Sequence, residues 1–169
     1  YGSGKDYNGP VIKDVNILEN TGLNIITLVN SGTPYSAQKN ITPAALGAGT
    51  PQLTGGLNGS RKPWTYRLDL QLDKTIDLEF GKENEKKKRA YLNVYVRVTN
   101  LLNQFNVLGV YRATGVVDDD GYLAAAESQS TIQNQLDEQS YRDLYNMNMN
   151  NPYNISQPRT IRLGVKFDF

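Results

Sequence analysis

Arg159-Thr160-Ile161-Arg162-Leu163-Gly164-Val165-Lys166-Phe167-Asp168-Phe169 is the stretch on which the fold class turns. Ile161, Leu163, Val165, Phe167 and Phe169 fall on one face, and Thr160, Arg162, Gly164, Lys166 and Asp168 fall on the other. The period is two without an error, which specifies a strand with one apolar and one polar side. Tilted by about 45°, a strand of this length covers the roughly 25 Å apolar band of an outer-membrane barrel. An ordinary half-buried strand of a soluble sheet fits the same segment taken alone. The remaining strands must decide.

Trp64 to Phe80 repeats the pattern. Trp64, Tyr66, Leu68, Leu70, Leu72, Ile76, Leu78 and Phe80 share one face, interrupted by Lys74. Thr65, Arg67, Asp69, Gln71, Asp73, Thr75, Asp77 and Glu79 share the other. Aromatics near the start and Leu below them give the vertical order of an interface girdle above a lipid band. Gly81 to Arg89 reads as a charged, solvated hairpin turn. The chain returns with Ala90, Leu92, Val94, Val96 and Val98 opposite Tyr91, Asn93, Tyr95, Arg97 and Thr99. Two long strands with matching faces and a short turn predict an antiparallel meander.

Alternation breaks at Asn100-Leu101-Leu102-Asn103, where a β-bulge restores the phase and Asn106 to Arg112 continues the strand. Upstream, Gly22 to Tyr35 is a weaker strand, because Ile26 and Leu28 intrude on its polar face. Tyr1 to Asn20 reads as a turn and strand approach broken at Asn8-Gly9-Pro10. Two long irregular stretches remain, Ser36 to Pro63 and Ala113 to Pro158. The second carries a helix expected over Tyr122 to Tyr145, followed by the Asn-rich run Asn146 to Asn154. Loops of this length are uncommon in compact domains unless functional. A short turn at one end and long loops at the other match outer-membrane barrels, whose long loops lie outside the cell.

The 169 residues carry a net charge of +1, so bulk charge implies neither nucleic acid nor an anionic surface as partner. Cysteine and histidine are both absent, which excludes disulfides, Cys/His zinc sites, thiol nucleophiles and Ser-His-Asp chemistry. No apolar run approaches the roughly 18 residues of a membrane helix, which barrel strands do not need. The chain opens Tyr1-Gly2-Ser3-Gly4 with neither Met nor a signal peptide, and so reads as a processed, engineered or partial product. Even spacing of Asp69, Asp73, Asp77 and Glu79 marks a strand face rather than a catalytic dyad. No catalysis is expected.

Several short motifs carry a resemblance. Val98-Thr99-Asn100-Leu101-Leu102-Asn103 resembles a recurring step on the penultimate strand of TonB-dependent outer-membrane receptors, and Pro158 to Phe169 is similar to their closing strand. Ser31-Gly32-Thr33-Pro34-Tyr35, Gly55-Gly56-Leu57-Asn58-Gly59-Ser60-Arg61, Val110-Tyr111-Arg112-Ala113-Thr114-Gly115 and Asp118-Asp119-Asp120-Gly121-Tyr122-Leu123 occur in the same order as in the Oar-like branch of that family. The resemblance spans nearly the whole chain, residues 1–169. It implies an all-β fold: an antiparallel transmembrane β-barrel segment, about the last four or five strands of a roughly 22-stranded barrel, with long extracellular loops, one carrying a short helix. It further implies the outer membrane of a Gram-negative bacterium and ligand uptake energised through TonB. The partners implied are the lipid bilayer, the remaining strands and plug of the same protein, TonB through a part outside this chain, and surface lipoproteins or other envelope proteins. A barrel that scaffolds surface partners without importing, and a soluble β-rich binding module, are the competing readings.

Site residues follow from these expectations. Tyr91, Tyr95 and Arg97 face the lumen, toward a plug or water. Tyr111, Arg112 and Tyr122 stand at the loop base as candidates for ligand contact. In a calcium-loop frame Asp118, Asp120 and Glu127 take the third, fifth and twelfth positions, but Val116 occupies the first, where a carboxylate is needed. The run reads instead as an acidic turn capping the following helix, with Asp120 near its N-terminus. No cofactor is expected, calcium being the alternative.

Overall fold

The computed structural model describes residues 4–13, 15–43, 50–81 and 88–169. Its strands are β1 (Val11–Ile12), β2 (Val15–Asn16), β3 (Thr21–Asn30), β4 (Pro34–Tyr35), β5 (Ser60–Arg61), β6 (Thr65–Phe80), β7 (Lys88–Thr99) and β8 (Thr160–Asp168). Two helices, α1 (Ala126–Gln133) and α2 (Glu138–Met149), lie between β7 and β8. The fold is mostly strand, in antiparallel sheets. None of the described helices is long and apolar enough to cross a membrane.

The principal sheet has the order β3-β6-β7-β8. Leu70 stands opposite Val98 and Phe80 opposite Lys88, so β6 and β7 form the long hairpin that the alternation requires. Lys88 and Arg89 belong to this ladder rather than to the turn, whose centre (82–87) lies outside the described residues. β8 pairs with β7 from Tyr91–Asp168 to Thr99–Thr160. On the other side Asn20 accepts from the Thr75 amide, and Gly22 lies beside Asp73, so β3 runs against β6. Both long connections therefore leave the sheet at one end and the short turn closes the other.

This sheet has no core of its own. Ala90 is its single buried hydrophobic residue among those described. Along β8 the apolar side chains run from 49% exposed at Phe167 to 73% at Leu163. Apart from Ala90, the apolar stripe of β6 and β7 is half-buried or exposed, its cover coming from its strand neighbours. Lys74, the cation in the middle of this stripe, turns its ammonium to the carbonyls of Asn16, Ile17 and Glu19 at 2.6–3.3 Å. A long alkyl stem covering apolar surface with its charge delivered elsewhere is how lysine fits such a face.

By contact clustering the chain divides into a sheet unit (Tyr1–Leu28, Arg67–Gln104, Pro158–Phe169) and a loop unit (Val29–Tyr66, Phe105–Gln157). The loop unit holds the β4–β5 pair, the helices and a small core of Tyr122, Ile132, Tyr145 and Met149 flanked by Ile41, Tyr111, Leu123 and Tyr141.

Three expectations need correction. The weaker strand expected over Gly22 to Tyr35 is β3, ending at Asn30, with Pro34–Tyr35 in a separate two-residue pair. Asn106 to Arg112 is not a strand; Val107 makes only an isolated bridge to Ile155. The cause is the preceding turn. Asn100 and Asn103 both take positive φ, 56° and 52°, and the Leu101 amide reaches the Leu68 carbonyl at 2.7 Å, one residue beyond the β6–β7 register. The extra residue is present, but it opens a turn that stops the ladder. Third, the helix expected over Tyr122 to Tyr145 is a 3-10 turn (Tyr122–Ala124) followed by α1 and α2, and α2 continues to Met149. Asp137 divides them, its carboxylate accepting from the Ser140 amide at 2.9 Å and so starting a new helix.

Candidate functional site

The polar face of the sheet is built in cross-strand rows. Gln71, Arg97 and Arg162 form one row, Asp73, Tyr95 and Gly164 the next, and Asp77, Tyr91 and Asp168 another toward the short turn. All three lumen-facing candidates, Tyr91, Tyr95 and Arg97, therefore share this face. Arg97 donates through Nε and Nη2 to Gln71 Oε1 at 2.9 and 2.7 Å. The Tyr95 ring lies over Gly164, filling the space that a side chain there would take. An aromatic laid across a strand glycine restores packing that the glycine forfeits. Tyr91 stays exposed between two carboxylates.

Next to the arginine row the face hollows into a cavity of about 380 Å³ lined by Asn24, Arg67, Asp69, Gln71, Arg97 and Thr99. Within it Arg67 Nε meets Asp69 Oδ2 at 3.1 Å, while Asp69 Oδ1 accepts from the Asn100 amide at 2.9 Å.

The loop candidates are placed differently from one another. Tyr122 is buried and stacks on Tyr145 with ring centroids 4.8 Å apart. Tyr111 is half-buried and donates its hydroxyl to the Met149 carbonyl at 2.9 Å. Arg112 alone keeps its side chain exposed, and its carbonyl accepts from the Gln38 amide at 2.9 Å.

In the acidic run, Asp120 is buried and both its oxygens are engaged: Oδ1 by the Tyr122 amide at 2.9 Å and Oδ2 by the Tyr145 hydroxyl at 2.7 Å. Asp119 accepts from the Gly121 amide, while Asp118 and Glu127 are exposed. Among the described residues no three His, Cys, Asp or Glu side chains gather as a metal site would require. Burial, the hydrogen bond to Asp120 and its charge hold the Tyr145 phenol far above its ordinary range. Tyr122, hydrogen-bonded to Tyr141 and buried, is pushed up to about 12. Burial and then the Asp120 charge raise Tyr111 as well.

Two organising residues escape a reading by alternation. Asn100 is buried and braces its own turn, its amide Nδ2 donating to the Gln104 carbonyl and its Oδ1 accepting from the Gln104 amide, each at 3.0 Å. Asn106, also buried, pairs its side-chain amide with both main-chain groups of Tyr66, at 2.8 and 2.7 Å, as a neighbouring peptide unit would. The break in period at Asn100-Leu101-Leu102-Asn103 marked the first; nothing local distinguished the second from its neighbouring amides. No protein-family model, curated protein or solved structure matches this chain.

Proposed function

We propose that this chain is the carboxyl-terminal barrel portion of a TonB-dependent outer-membrane receptor, which binds a ligand at the cell surface and takes it up across the outer membrane. One observation carries the reading: a four-stranded sheet whose apolar face has a single buried hydrophobic residue among those described, Ala90, and is exposed along the whole of β8. Burying a Leu, Val or Phe side chain is worth about 1.5–3 kcal/mol, so a water-facing stripe of this length forfeits more than a small domain retains. Hydrocarbon is the cover that asks for no second layer of protein. The short turn at one end and long connections at the other agree with periplasmic turns and extracellular loops. Further strands of the same barrel add at the outer edges of β3 and β8, since lipid tolerates no open edge.

In this assignment the chain is not an enzyme. Its loops capture ligand, its polar face lines the lumen against a plug, and TonB acts through other residues of the same protein.

The absence of cysteine makes the test direct. Single cysteines at positions 160 to 163 and 165 to 168 of the full chain, nitroxide-labelled in vesicles, should alternate: high oxygen accessibility at 161, 163, 165 and 167, and high access to a water-soluble nickel reagent at 162, 166 and 168. Uniform accessibility, or a folded monomer in buffer without detergent, would sink the assignment.

A further inference from the structure

We infer that the polar face of the sheet carries a binding site for a small carboxylate- or phosphate-bearing solute, centred on Arg97 and flanked by Arg67 and Arg162. The inference concerns that face alone and holds whether the face lines a barrel or meets bulk water. Arg97 and Arg162 stand directly opposite on neighbouring strands, where like charges repel. Neither forms an ion pair among the described residues. Arg97 is held by Gln71 Oε1, a neutral acceptor, through two of its nitrogens, and its Nη1 makes no hydrogen bond among the described residues. Arg162 has no ion pair or side-chain hydrogen bond among the described residues.

The one carboxylate lining the cavity, Asp69, is spent on Arg67 and the Asn100 amide. In the cavity two guanidinium groups thus face one carboxylate, and Arg162 adds a third beside Arg97. Asn24 and Thr99 add neutral donors at the wall of a cavity of about 380 Å³, inside the roughly 300–1,000 Å³ span of small-molecule sites. Two oxygens of a carboxylate or phosphate match the fork of a guanidinium, and an anion between two guanidinium groups converts a repulsive pair into an attractive triplet.

The test is a titration of the full chain in detergent with inorganic phosphate at fixed ionic strength, followed by NMR of the arginine Nε–H groups. Saturable shifts at Arg97 and Arg67 are expected. R97Q should weaken phosphate at least tenfold and R162Q several-fold. R97K, which keeps the charge without the fork, should fall between wild type and R97Q. R89Q removes a cation of the same face that is paired with Glu79 at 3.4 Å, and should leave phosphate affinity unchanged. Thermal melts give a second readout: R162Q should melt higher than wild type without phosphate, and phosphate should raise the midpoints of wild type and R89Q alike, and that of R97Q least. Linear shifts that sodium chloride reproduces would overturn the site. So would unaltered affinity in R97Q, with that variant verified as folded.

Discussion

At the scale of single residues, three glycines separate close approach from spare space. A Cβ on Gly32 would overlap the Lys62 carbonyl oxygen, and one on Gly164 would meet the Tyr95 ring, whereas one on Gly56 would meet nothing within 4 Å. Backbone cannot swing aside as a ring can. Gly32→Ala should therefore be the most damaging, at or above the roughly 1–3 kcal/mol of an overpacked site. Gly164→Ala should cost about 1 kcal/mol and lose most of that cost when Tyr95 is also Ala. Gly56→Ala should be neutral or slightly stabilising, through a less free unfolded chain. Denaturant midpoints of the four variants check the order, and equal losses at Gly32 and Gly56 would refute it. The buried Asp120 supplies a second case. Tyr145→Phe removes the hydroxyl that donates to Asp120 Oδ2 and should cost about 1–3 kcal/mol, read as lost helical signal on denaturant titration.

Among the elements, the strands separate an apolar face from a polar one by parity, and a charge scan in a bilayer tests whether the apolar face meets lipid. Leu70→Arg and Val96→Arg, on the apolar face, should each cost about 2–4 kcal/mol in a bilayer. The matched polar-face substitution is Thr75→Arg, because Asp73 and Asp77 flank it on the same face two residues away. Gln71→Arg is unsuited to that control, since it would remove the acceptor that holds Arg97 and place a third guanidinium in its row. Folding free energies in vesicles should show Thr75→Arg within about 1 kcal/mol of wild type; equal damage at Thr75 and Leu70 would mean a sheet buried on both sides. The same parity explains what the residue pattern disclosed in advance. Strict alternation in Trp64 to Phe80, Ala90 to Thr99 and Arg159 to Phe169 located β6, β7, β8 and the polar face with Tyr91, Tyr95 and Arg97, because each side chain's environment depends only on odd or even position. The arrest after Thr99 was not legible, since it needs Asn100 and Asn103 in a left-handed backbone that their spacing does not encode. The helical division at Asp137 was written in a capping residue and concealed by the polar composition around it. Tyr122 passed for an exposed aromatic because its partner Tyr145 is 23 residues away.

On the scale of the whole molecule, the two units draw on different forces. The sheet unit has strand ladders and an apolar face with no protein core. The loop unit has a small buried cluster whose centre is phenolic: Tyr122, Tyr141 and Tyr145 around Asp120. That difference gives the two units different responses to alkali. Folded Tyr122 titrates at about 12 against an ordinary 10.0, and Tyr145 higher still, so above pH 10 the unfolded chain releases protons that the folded one retains. Stability from these groups is complete below pH 10 and falls as pH rises through the folded values. For Tyr122 the loss accrues between pH 10 and about 12. Circular dichroism at 222 nm, where α1 and α2 dominate, should therefore decline between pH 10 and 12 in detergent. Amide protons of β6, β7 and β8 should remain protected from exchange over the same interval. Tyr145→Phe should lower the starting stability and flatten the alkaline slope. A helical signal unchanged to pH 12, or strand protection lost in step with it, would show that the phenol cluster does not govern the loop unit by itself.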